Sequence, residues 1–243
     1  MKTKVLLSLS AAALVNAAQL SAAPQISSGA YAGVAAGISV LGGKNKLTTS
    51  NDAGGGAQIL QDQGNFSLSK ASAAAILFGG YGAKINEFWL GGEVFYQFDS
   101  LKDKQNPAFA GAQPVTLKSA STDAYGASLH LGFLPAENCV AYAILGVEMR
   151  KFKVQFSDPT PAGYMSTSIN KKYNSLAFVP GVGMRFALVK NLSFRTEYKF
   201  AMHRGKKVGA SGENARNPGQ LDVVTIKHQP KVHSFNIGVV YNF

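Results

Sequence analysis

The sequence predicts an all-β protein, an eight-stranded antiparallel up-and-down transmembrane β-barrel preceded by a signal peptide. Three observations carry this expectation. The last stretch alternates strictly, with Phe235, Ile237, Val239, Tyr241 and Phe243 on one face and Ser234, Asn236, Gly238 and Asn242 on the other. Only Val240 blurs the polar face, and period-two alternation of this length is a strand able to cross a bilayer core. Short connections also alternate with long polar ones along the chain, a sorting that a soluble sandwich has no reason to show. Finally, no run after the N-terminus reaches the roughly 18 apolar residues of a membrane helix. A hydrophobic content of 46% and a mean hydropathy of +0.03 suit a barrel in which every second residue is polar.

Met1–Ala23 reads as an export signal: Lys2 and Lys4 are basic, Val5–Val15 is a short apolar run, and Ala- and Ser-rich sequence follows. Cleavage after Ala23 fits the small-x-small rule although Pro24 comes next, and cleavage after Ala17 is the alternative. Residues 24–243 then form one barrel domain. Cys139 is the single cysteine, which excludes an internal disulfide and lies too far along for lipid attachment. The net charge of +11 favours anionic partners.

Eight segments read as strands. The first, Gly29–Val40, sets Ala32, Val34, Ala36, Ile38 and Val40 against Tyr31, Gly33, Ala35, Gly37 and Ser39. The second, Ser69–Lys84, is rich in Ala and Gly. The third, Trp89–Asp99, sets Leu90, Val94, Tyr96 and Phe98 against Gly91, Glu93, Gln97 and Asp99. The fourth, Thr122–Leu134, sets Tyr125, Ala127, Leu129, Leu131 and Phe133 against Gly126, Ser128, His130 and Gly132. The fifth, Val140–Phe152, turns Tyr142, Gly146, Glu148 and Arg150 inward. The sixth, Tyr173–Leu188, is expected to bulge or kink at Pro180–Gly181, because proline cannot donate to the ladder. The seventh, Leu192–Met202, sets Leu192, Phe194, Thr196, Tyr198 and Phe200 against Ser193, Arg195, Glu197 and Lys199. The eighth closes the chain. Short links at Ile85–Phe88, Pro135–Asn138 and Val189–Asn191 alternate with long loops at Leu41–Leu68, Ser100–Ser121, Ser157–Lys172 and His203–Lys231.

The segments Leu90-Gly-Gly-Glu-Val-Phe-Tyr-Gln-Phe98, Phe178-Val-Pro-Gly-Val-Gly-Met-Arg-Phe186 and Asn191-Leu-Ser-Phe-Arg-Thr-Glu-Tyr-Lys-Phe200 resemble the OmpA-like and opacity-protein superfamily of eight-stranded outer-membrane barrels. The resemblance implies an integral place in the cell outer membrane, extracellular long loops, and both termini in the periplasm. It also implies an assembly signal at Tyr241 and Phe243 read by the barrel assembly machinery. The chain ends with the barrel, so tethering of the cell wall by a further domain is not expected.

The inward phase gathers Glu93, Glu148, Arg150, Arg185, Arg195, Glu197 and Lys199 into an expected interior charge cluster. Glu93, Arg185 and Arg195 lie at similar distances from short turns, so Glu93 is expected to meet Arg195 across the lumen, with Arg185 beside them. Among the loop cations, Lys44, Lys172, Arg204, Lys206, Lys207 and Lys231 are the candidate contacts for lipopolysaccharide or other polyanions. Lys44, Lys172, Arg204 and Lys231 fall near strand ends, at the height of lipid phosphates. Ordinary solvated loop charge is the competing reading.

Ser128, His130 and Glu148 hold the residue types of an acyl-transfer triad, yet their phase turns them away from a lipid substrate. Gly42-Gly-Lys-Asn lacks the first glycine and the Ser/Thr of a phosphate loop. Four histidines without ligand spacing give no metal site. No enzyme activity, cofactor or nucleic-acid partner is therefore expected. The reading that results is a monomeric outer-membrane barrel with a structural or adhesin-like role carried by its long loops, in contact with membrane lipids. A small porin-like channel is the alternative, and a lipid A-modifying enzyme the third.

Overall fold

A computed structural model describes residues 25–52, 58–105, 116–157, 169–213 and 221–243. The export-signal segment lies outside the described residues. Ten strands follow in order: β1 (Gly29–Asp52), β2 (Gln58–Ile85), β3 (Phe88–Asp99), β4 (Leu101–Gln105), β5 (Thr116–Ala136), β6 (Cys139–Ser157), β7 (Ile169–Val189), β8 (Leu192–His203), β9 (Lys206–Glu213) and β10 (Leu221–Asn242). Eight of them pair antiparallel in the ring β1-β2-β3-β5-β6-β7-β8-β10, which β1–β10 pairing closes. β4 continues the line of β3 against β5, and β9 continues the line of β8 against β10.

Alternation sorts the wall. Leu90, Val94, Tyr96 and Phe98 of β3 point out, while Trp89, Glu93, Phe95 and Gln97 are buried inside. Outward apolar residues run from Leu192 to Met202 on β8, about 25 Å of height at about 3.3 Å per residue and 40° of tilt. That matches the lipid-facing belt of a membrane barrel.

Two expectations need correction. Much of the sequence assigned to long loops is strand. β1, β2, β5, β6, β7 and β10 all run on beyond the apolar belt, and β4 and β9 were not anticipated. Polar, glycine-rich sequence weakens the apolar alternation there, but inward Leu41, Leu117, Val154 and Ile226 keep that extension packed. Second, the irregularity expected at Pro180–Gly181 is a lapse in pairing and not a bulge. The β6 register runs unbroken through Leu145↔Pro180 and Ile144↔Gly181. Towards β8, pairing lapses between Phe178↔Met202 and Gly181↔Lys199, yet both strands advance three residues, so the phase survives the missing N–H. The register shift of β7 lies between Ala187 and Val189.

The interior has three storeys. Nearest the short turns, Tyr31, Trp89 and Tyr142 fill the lumen. The Trp89 indole lies flat across two glycines; a Cβ at Gly82 would stand 2.4 Å from its Cζ2, and one at Gly91 2.4 Å from its Cη2. Charged residues occupy the middle. Leu41, Leu101, Phe152, Val154 and Ile226 plug the extension.

Candidate functional site: an interior charge belt and a basic outer wall

The middle storey is built from inward positions of four strands. Arg195 of β8 donates to both carboxylate oxygens of Glu93 of β3, at 2.5 and 3.3 Å. Its guanidinium carbon lies 3.3 Å from the Phe78 ring centre. Glu197 accepts from Tyr142 Oη at 2.8 Å, and its Oε2 lies 3.4 Å from Arg195 Nη2 and 3.1 Å from Lys199 Nζ. Two carboxylates thus face two cations, as buried charge requires.

A second group lies nearer the extension. Arg150 Nη1 contacts both Asp99 oxygens at 2.7 and 2.8 Å, and its Nε donates to Glu148 Oε1 at 2.8 Å. His203 Nε2 lies 3.5 Å from the same Glu148 oxygen. Asp99 and His203 were not among the expected members. Asp99 was legible, since it shares the inward phase of Glu93 and Gln97. His203 was hidden by its place in an assumed loop.

Arg185 departs from the expected trio. Its Nη2 donates to Asn242 Oδ1 at 2.5 Å, and its guanidinium carbon lies 5.0 Å from the Tyr31 ring centre. Among the described residues no ion pair joins it to Glu93, although the register sets Arg185 directly opposite Arg195. Ser128 Oγ and His130 Nε2 are 3.0 Å apart, but the Glu148 carboxylate turns to Arg150 and His203. No triad assembles.

A polar trio that sequence reading missed sits inside the extension. His228 Nε2 is 2.8 Å from Ser119 Oγ, and its Nδ1 bonds the Tyr173 hydroxyl. Burial, with a smaller contribution from His203, pulls the His228 imidazole down to about 4. Burial also raises the Tyr173 phenol. His228 and Ser119 are sealed under Phe152 and the apolar plug.

Outside, register aligns cations. Lys46 of β1 pairs directly with Lys227 of β10, which pairs directly with Lys207 of β9. All three are exposed, while their alternates Asn45, His228 and Val208 are buried. The β2 partner of Lys46 is Asn65 and not a carboxylate. Lys44 and Lys231 face out below it, and Lys231 Nζ lies 5.9 Å from the Phe200 ring centre. Lys44 and Lys231 sit within long strands and not near strand ends, as the longer β1 and β10 dictate, while Lys172 is the fourth residue of β7. Lys206 takes the inner phase opposite His228, with Nζ 5.3 Å from the Tyr173 ring centre. Arg204 occupies the exposed break between β8 and β9, its N–H donating to Leu176 O at 3.1 Å. Phe243 is exposed at the short-turn end, its ring 5.3 Å from that of Tyr241.

A closed antiparallel ring, a lipid-height apolar belt and an ion-paired lumen define an integral outer-membrane β-barrel protein. The chain belongs to the outer membrane protein beta-barrel domain family, whose model matches residues 7–243. Among solved structures it is similar to OprG of Pseudomonas aeruginosa, with 12% identity, 90% of this chain and 100% of that chain covered, and a TM-score of 0.50. It is also similar to Ail of Yersinia pestis, solved in complex with the heparin analogue sucrose octasulfate (14% identity, 86% and 99% covered, TM-score 0.39). Neisserial surface protein A follows at 12% identity, 85% and 97% coverage and a TM-score of 0.38. No curated protein matches the sequence. Likenesses at these identities concern the fold alone.

Proposed function

We propose that the chain is a surface-interaction barrel, with a structural or adhesin-like role. Its extension stands outside the cell, and its termini and short turns face the periplasm. Residues 1–23 serve as the export signal, leaving residues 24–243 as the working domain. The observation that carries this reading is the Lys46–Lys227–Lys207 row. Like charges directly opposite one another destabilise a strand pair, and a row of them beyond the lipid belt attracts phosphates and sulfates. The partners are membrane lipids, the phosphates of lipopolysaccharide and anionic surface or host glycans. The barrel acts as a monomer without cofactor or nucleic acid, inserted by assembly machinery that reads Tyr241 and Phe243.

The filled, ion-paired lumen supports interaction over conduction, and the sealed Ser128–His130 pair gives no support to an enzyme. Cysteines placed at Lys207 and Glu87 in a Cys139→Ser background test the orientation. A membrane-impermeant maleimide is expected to label position 207 in intact cells and position 87 only after lysis; the reverse pattern overturns the reading. Purified protein is expected to bind lipopolysaccharide or heparin with affinity that falls steeply with salt. It is expected to be nearly silent in planar bilayers, and a large steady conductance would promote the channel alternative.

A further inference from the structure

We propose a second, more specific anion site on the opposite wall, where β4–β7 cradle the phosphorylated saccharide of glycolipids packed around the barrel. It rests on the outward orientation and polyanion role proposed above. β5 lies four places from β10 in the eight-membered ring, although the edges of this wall, β4 and β7, come close to β1 and β9.

Register builds the site in two rows. Lys104 of β4 pairs directly with Lys118 of β5, Lys118 with Gln155 of β6, and Gln155 with Asn170 of β7. Two residues nearer the apolar belt, Lys102 pairs with Ala120, Ala120 with Lys153, and Lys153 with Lys172. Five lysines therefore share one outer face. Neighbouring strands lie about 4.8 Å apart and the two rows about 7 Å. The alternate residues Leu117, Ser119, Val154 and Phe156 are buried, which fixes the lysines outward. Asp103, between Lys102 and Lys104, stands on the alternate phase opposite Ser119. Asp123, lower on β5, accepts from the Tyr96 hydroxyl at 3.1 Å.

The upper row is concave. Lys104, Lys118, Gln155, Ser157 and Asn170, together with Thr116 and the apolar Phe156 and Ile169, line a depression of about 360 Å³. Two ammonium groups supply charge for phosphate oxygens, and two carboxamides with a hydroxyl supply donors and acceptors for phosphate or sugar hydroxyls. Such a mixed lining suits a phosphosaccharide. Height selects its source: Lys153 and Gln155 lie four and six residues beyond outward Met149, about 10–15 Å above the apolar belt at 3.3 Å per residue and 40° of tilt. A side-wall site at that level meets the headgroups of neighbouring lipids first.

The test compares two double variants of equal charge change, Lys104→Gln/Lys118→Gln and Lys46→Gln/Lys227→Gln. Each is first checked for a heat-modifiable gel shift. Binding of the full chain in detergent micelles at about 0.15 M salt is measured for rough-type lipopolysaccharide, its dephosphorylated form, and heparin. The Lys104/Lys118 variant is expected to lose roughly tenfold or more in affinity for the phosphorylated lipid, against roughly twofold for the other variant. Dephosphorylation is expected to abolish the difference. Equal losses in the two variants overturn the site and leave the general polyanion role standing. A Lys104/Lys118 loss confined to heparin overturns the lipid assignment. Failure of the unmodified protein to bind either polyanion removes the underlying role and the site with it.

Discussion

Arg195 Nη1 lies 2.5 Å from Glu93 Oε2 although 102 residues separate them in the chain. The pair crosses the lumen from β8 to β3, shielded on one side by the Phe78 ring. Each charge has left water, and each is satisfied only by the other and its neighbours.

Replacing Glu93 or Arg195 singly by alanine is therefore expected to lower stability by about 3–5 kcal/mol, because the surviving charge is buried without its partner. The double variant is expected to lose less than the sum of the two. Urea unfolding of the four proteins in detergent measures the coupling, and strict additivity would rule out an energetic link.

Trp89 makes a steric prediction. Its indole occupies the space a side chain at Gly82 would need, with Cζ2 at 2.4 Å and Cε2 at 2.7 Å from the added Cβ. Gly82→Val is expected to destabilise by about 1–3 kcal/mol through overpacking. Adding Trp89→Ala should make the valine less harmful than it is in the parent. An unchanged penalty would locate the strain elsewhere.

The extension should loosen in acid. His228 is held near 4 inside, against an ordinary value of about 6.5. Between those values the unfolded chain binds the proton that the folded one refuses, so stability rises with pH and is lost as pH falls from about 6.5 to 4. The full difference is on the order of 3 kcal/mol. Melting midpoints of the parent across that window should fall more than those of His228→Gln. Parallel profiles would mean that His228 does not govern the change.

Phe243 separates assembly from stability. Its side chain is 77% exposed, so removing it takes little from the packed barrel. Phe243→Asp is expected to refold normally from urea into detergent, yet to reach the outer membrane of cells in much smaller amounts. Normal cellular insertion would remove its role as an assembly signal.

The sequence by itself determined the barrel. Alternation over β3, β6, β8 and the end of β10 marked which residues meet lipid and which turn inside, because a pleated strand has only two faces. That phase also carried Glu93, Arg195, Glu197 and Lys199 into the lumen, and the same rule would have included Asp99. Tertiary structure decided the rest, and phase is again the reason. An extra residue at Thr122–Asp123 lets β5 advance three positions while β6 advances two, between Ser121↔Phe152 and Ala124↔Arg150. Below it Ser128 and His130 point inward at even numbers; above it Leu117 and Ser119 do so at odd numbers. Extending the lower alternation upward would have buried Lys118 and exposed Leu117. The break at Arg204–Gly205 acts in the same way, moving the inner phase from His203 to Val208 and turning Lys207 out. A one-residue slip exchanges the two faces of a strand, and only neighbouring strands fix where the slip falls. The cations of both outer walls were visible in the sequence. Their alignment into rows was a product of pairing.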